Sequence, residues 1–128
     1  MDKNYLPINS LAADGVIAIN KEQKVIVFDA AACRITGFGS DETLSKDISF
    51  LFPKENEREV YIISSLSTGE LFSNISLTIT CTDDRELLIT ASITPLIQPN
   101  QGIIGLILVF RDTNETLSLQ KALAAKKD

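Results

Sequence analysis

Two runs in the second half of the chain alternate apolar and polar residues with a period of two, a third is apolar on both sides, and no other feature restricts the fold as tightly. In Asn74–Thr82, Ile75, Leu77, Ile79 and Cys81 share one side, while Ser76, Thr78, Thr80 and Thr82 share the other. In Glu86–Leu96, Leu87, Ile89, Ala91 and Ile93 alternate with Leu88, Thr90, Ser92 and Thr94. Side chains of an extended strand point to opposite faces in turn, so each run predicts a strand with one buried face. Ile103–Arg111 differs. Ile104, Leu106, Leu108 and Phe110 line one side, yet Ile103, Ile107 and Val109 leave the other side equally apolar. Asp83-Asp84-Arg85 and the loop from Pro95 through Pro99 to Gly102 join these runs closely enough for antiparallel pairing. A wholly helical fold is excluded.

The first third of the chain repeats the theme in shorter form. Val16–Ile19 and Val25–Phe28 are β-branched runs separated by the polar Asn20-Lys21-Glu22-Gln23, which predicts a hairpin. Asp29 stands where a helix N-cap belongs, followed by Ala30, Ala31 and Ala32, and Gly37 supplies the stop. Ser40–Leu44 and Asp47–Phe52 read as short helical turns, the second ended by Pro53. Lys54–Ser67 predicts a longer helix with Val60, Ile63 and Ser67 on its apolar face, Ile62 and Leu66 alongside, and Glu55, Glu57, Arg58 and Glu59 at its wet end. Thr68-Gly69-Glu70 closes it. Asp112–Glu115 ends the last strand and starts a helix through about residue 126, with Thr113 or Asn114 as cap.

Composition removes several functions. The net charge is −5 and the only basic cluster is Lys126-Lys127, which argues against nucleic-acid or anionic-membrane partners. Ile103–Phe110 is far short of the ~20 residues of a membrane span. No histidine is present, so His-based acid–base catalysis, Ser-His and Cys-His pairs and most zinc sites are excluded. Asp83-Asp84 sits in a turn and Glu55, Glu57 and Glu59 on a wet helix end, where solvated charge is the expected role. Cys33 and Cys81 are expected to be buried, unpaired thiols in a reducing, cytoplasmic compartment.

The opening Asp14-Gly15, the two short strands, and Asp29, Ala31, Ala32, Ile35, Gly37 and Phe38 resemble the start of a PAS domain, the sensor and interaction module of signalling proteins. Glu42, Leu44, Lys46 and Leu51-Phe52-Pro53 continue the likeness, with Ser45 where the family usually has glycine, so a different turn backbone is expected there. Phe110-Arg111-Asp112-Thr113-Asn114-Glu115 is similar to the junction from which a PAS output helix departs. The resemblance covers residues ~12–115 and implies an α+β fold: a five-stranded antiparallel sheet with short helices packed on one face, plus flanking N- and C-terminal helices. It divides the chain into a flanking segment 1–13, a core 14–114 and the start of an output helix at 115–128.

For function, the resemblance implies a sensory or dimerisation domain of an intracellular signalling protein, such as a sensor histidine kinase or nucleotide cyclase, with its effector C-terminal and no catalytic centre of its own. The runner-up is a stand-alone small-molecule-binding protein or small enzyme of another α+β fold. The face toward the helices predicts the lining of any pocket: Ile17, Ile19, Ile35, Phe38, Ile48, Leu66, Leu77, Ile79, Ile89, Ala91, Leu106, Leu108 and Phe110. No residue in this set carries a hydrogen-bonding side chain. Flavin-binding relatives place Asn and Gln there, and haem-binding relatives supply a histidine, so no cofactor is predicted and a small apolar ligand is the alternative. Cys33 merely echoes the light-sensing cysteine motif, from the wrong helix. No metal is predicted. Asp112 and Asn114 are the expected signal junction. Leu88, Ile103, Ile107 and Val109 are the expected homodimer face, because a strand apolar on both sides must be covered twice. Tyr5, Leu6, Ile8 and Leu11 cover part of it, and Leu119 and Leu123 extend it as a helical seam.

Overall fold

A computed structural model describes residues 14–113. Strands β1 (Gly15–Asn20) and β2 (Val25–Phe28) form the predicted hairpin. The Asn20 carboxamide closes its turn, with Oδ1 accepting from the backbone N–H groups of Glu22 and Lys24, both at 3.0 Å. Helix α1 (Ala30–Thr36) follows. Asp29 caps it as the sequence predicts, accepting from Ala32 N at 2.8 Å. The same oxygen also accepts from Val16 N at 3.0 Å, so one carboxylate starts the helix and fastens it to β1. Gly37 stops α1 in the left-handed conformation, φ 87°.

Helix α2 (Ser40–Thr43) and a 3₁₀ turn (Ile48–Phe50) carry the chain across the sheet. Ser45 between them has φ 73°. The serine thus takes the left-handed backbone that a glycine would favour, held by Ser45 N–H donating to Val25 O at 2.8 Å and Val25 N–H to Lys46 O at 2.9 Å.

The predicted helix over residues 54–67 forms, but its winding changes. Helix α3 (Glu55–Glu57) widens into a π-helical stretch, Arg58–Ile63, and returns to α-helix in α4 (Ser64–Thr68). The wider turn shifts the inward stripe, so Ile62 and Ser65 are buried whereas Val60 is 55% exposed. The expected face through Val60 and Ser67 is corrected accordingly. Tyr61 packs edge-on against Phe72, ring centres 5.0 Å apart.

Strands β3 (Phe72–Thr80), β4 (Glu86–Gln98) and β5 (Gly102–Asp112) complete one antiparallel sheet, ordered β2-β1-β5-β4-β3. The first and last strands, β1 and β5, are therefore neighbours inside the sheet, and the chain crosses from one edge, β2, to the other, β3, through the helices. Both edges are partly sealed. Glu57 Oε1 accepts from Thr78 N and Leu51 O from Thr80 N, at 2.9 and 2.8 Å, so the crossing segment occupies the edge of β3 where another strand would pair.

Between sheet and helices lies one apolar cluster, in which Ile17, Ile19, Leu77, Ile79, Ile89, Leu106, Leu108 and Phe110 are almost wholly buried. The fold is the α+β arrangement expected from the sequence. The flanking segments 1–13 and 115–128, their predicted helices, and Tyr5, Leu6, Ile8, Leu11, Leu119 and Leu123 lie outside the described residues.

Candidate functional site

The two faces of the sheet are the candidate surfaces, and they differ in kind. On the inner face, the residues expected to line a pocket are brought together in a single cluster, Phe38 and Leu66 at its margin and the others within it. The cluster also takes in Val25, Phe28, Ala32, Leu51, Phe52, Ile62, Cys81, Leu87 and Ile93, which the expected lining left out. Val25 and Phe28 escaped because β2 contains a bulge: Ala18 pairs with Val27 but Ile19 with Val25, leaving Ile26 as the extra residue. Both ends of β2 consequently turn inward while Ile26 and Val27 stay exposed.

The inner face is filled by side chains. Among the described residues no cavity opens between helices and sheet. Its buried polar groups are few. Thr36 donates to Ala32 O at 2.8 Å and Thr43 to Ser40 O at 3.1 Å. Ser65 Oγ, on α4, is buried with no partner among the described residues. Cys81 is buried and its Sγ approaches Ile35 O at 3.8 Å, and burial pushes its thiol pKa up. Cys33 is only half-buried, which corrects the expectation of two buried thiols, and neither cysteine is paired. No group of three or more His, Cys, Asp or Glu side chains among the described residues is placed to hold a metal.

The outer face is less uniform. Ile107 and Val109 are half-buried, opposite Thr94 and Ser92, whereas Leu88, 49% exposed, stands apart from them near the Thr113 end of β4. Ile103 does not belong to this group. Leu96 pairs with Gly105 but Ile97 with Ile103, so Ile104 is a bulge residue and the alternation reverses beyond it. Ile103 then shares the inner side with Ile97, and its Cδ1 lies 3.5 Å from where a Cβ on Gly69 would stand. The expected face through Leu88, Ile103, Ile107 and Val109 is corrected in that Ile103 leaves it and Leu88 is separated from Ile107 and Val109.

At the end of β5, Asp112 is half-buried opposite Ile89. Thr113 Oγ1 lies 3.0 Å from Thr90 Oγ1 of β4. Arg111 reaches the other way, donating to Asp14 Oδ2 at 3.1 Å. Asn114, the second expected junction residue, lies outside the described residues.

An uninterrupted five-stranded sheet whose two outer strands are joined by helices across one face defines an α+β module of the sensory-domain type. The family model of the PAS domain matches residues 13–115, and the chain belongs to the PAS domain family. Its fold is similar to the PAS domain of a protein from Colwellia psychrerythraea, with a TM-score of 0.68 at 13% identity over 77% of this chain and 85% of that one. It is similar as well to the PAS domain of the fruit-fly ELK potassium channel, TM-score 0.66 at 14% identity over 78% of this chain and 86% of that one. An RNA-binding light-oxygen-voltage receptor aligns with 99% of this chain but only 38% of its own, with a TM-score of 0.71 and 16% identity. No curated protein matches the chain. No helix among the described residues is long and apolar enough to cross a membrane.

Proposed function

We propose that this PAS domain is a sensory and dimerisation module of a cytoplasmic signal-transduction protein, a sensor histidine kinase or a nucleotide cyclase, with its effector on the C-terminal side. In this reading the domain is non-catalytic, binds neither haem nor flavin, and pairs with a second copy through the outer face of the sheet. The observation that carries it is the contrast between the two faces. The inner face is filled with apolar side chains, whereas the outer face leaves Leu88 and Val27 about half exposed, at 49% and 43%. Val27, Ala18 and Ile107 stand in one cross-strand row with Val109 next along β5, and apolar surface of this kind favours an interface, for which a two-fold dimer is the commonest arrangement. Strand β5 lies between β1 and β4, so a shift at either face moves Asp112 and the segment that follows it.

Light scattering on the 128-residue chain tests the reading. The mass is expected to exceed the 14.0 kDa of one chain at high micromolar concentration. Ile107→Glu, which sets a charge in the middle of the face, is expected to return it to one chain without changing the circular dichroism. A parent that already runs as a monomer overturns the dimer.

A further inference from the structure

The sheet brings the two exits of the domain to one corner. Gly15 pairs with Phe110, which makes Asp14 and Arg111 the next cross-strand neighbours along β1 and β5. Arg111 Nη2 lies 3.0 Å from Asp14 Oδ1 and donates to Oδ2 at 3.1 Å, so one guanidinium nitrogen spans the carboxylate. Oδ1 is sealed from water and receives no aligned hydrogen bond among the described residues. The Arg111 charge beside it is its compensation. Two residues further on, Thr113 is held to Thr90 of β4. The last residues of β5 are thus tied on both sides, to the entrance of the domain by charge and to β4 by a hydroxyl contact.

We propose that the Asp14–Arg111 pair is a coupling element through which the segment preceding Asp14 and the segment following Thr113 sense each other directly, without a change in the packed interior. The inference rests on the relay reading given above and names its route. A filled core deforms poorly. A partly exposed ion pair is worth little in stability, and can be made and broken at small cost. The pair sits where both flanking segments join the sheet, so moving either one strains it.

Hydrogen exchange on the whole chain, followed by mass spectrometry, tests this with Asp14→Asn, Arg111→Gln and the charge-swapped double variant Asp14→Arg/Arg111→Asp. Each single substitution is expected to speed exchange about two- to fivefold in both 1–13 and 114–128, the scale of a partly exposed ion pair. Amides of β3 and β4 are expected to keep their rates, and the swap to restore both flanks. A response confined to the substituted side, no response, or one that spreads into β3 and β4 overturns the proposal. The comparison is repeated in the Ile107→Glu background. Coupling that persists there belongs to one protomer and stands whether or not the domain dimerises. Coupling lost only there runs through the partner copy, and overturns the proposal.

Discussion

Ser45 holds a backbone conformation that side chains resist, with φ 73°. An L-residue there costs ~1–2 kcal/mol against right-handed backbone, partly offset because glycine loses more freedom on folding. Two backbone bonds to β2 retain the turn nonetheless. Ser45→Gly is therefore expected to stabilise the domain by up to about 1 kcal/mol in urea denaturation. A loss of stability would mean that the serine side chain contributes something the backbone geometry does not require. Asp29 presents the opposite case, a side chain that serves two elements at once. Asp29→Ala removes the acceptor for both Ala32 N and Val16 N, and is expected to cost about 1–2 kcal/mol. The denaturation slope should stay constant while the midpoint falls, since the folded surface is the same. The cap was legible from an aspartate before three alanines; its bond to β1 was not, because that partner is 13 residues away in sequence.

Among the elements, the β1–β5 contact places the strictest demand on a single position. A Cβ on Gly105 would run into the carbonyl oxygen of Ile19, with Asn20 Cα at 3.2 Å. Backbone cannot rotate aside as a side chain can, so Gly105→Ala must push two central strands apart. The expected cost is about 1–3 kcal/mol, seen as a lowered thermal midpoint. Gly39→Ala is the control. Its nearest neighbour would be the flexible end of Glu42 at 3.8 Å, and little change is expected. The helix over residues 55–68 shows how element-scale reasoning fails. Regular winding predicted Val60 on the buried side, yet the π-helical stretch leaves it exposed and buries Ser65. Such widening is invisible to a 3.6-residue period, which assumes one winding from end to end.

For the molecule as a whole, the two thiols offer a measure of how firmly the layers are joined. Cys81 is buried between α1 and the sheet, with its thiol held protonated by burial, whereas Cys33 is half-buried on the helix surface. Only a thiolate is alkylated readily. At mildly alkaline pH, iodoacetamide is expected to modify Cys33 first and Cys81 only as often as the domain unfolds. Low urea should then accelerate Cys81 far more than Cys33. Equal rates in native buffer would show that helices and sheet part locally, without global unfolding.

Period-two alternation is a local property, and so are caps, turns and the glycine stop after α1. These determined from sequence alone that β3 and β4 are strands, that a hairpin and a capped helix open the core, and that the inner face is apolar. The family resemblance rested on the same local signals. What tertiary structure decided was wherever the period breaks. A bulge at Ile104 turned Ile103 from the outer face to the inner, and a bulge at Ile26 buried both Val25 and Phe28. Each inserts one residue and reverses every facing beyond it, and nothing in the composition of the strand marks where it falls. The ion pair between Asp14 and Arg111 belongs to the same class. Its partners stand at opposite ends of the core sequence, and only the strand order that sets β1 beside β5 makes them neighbours.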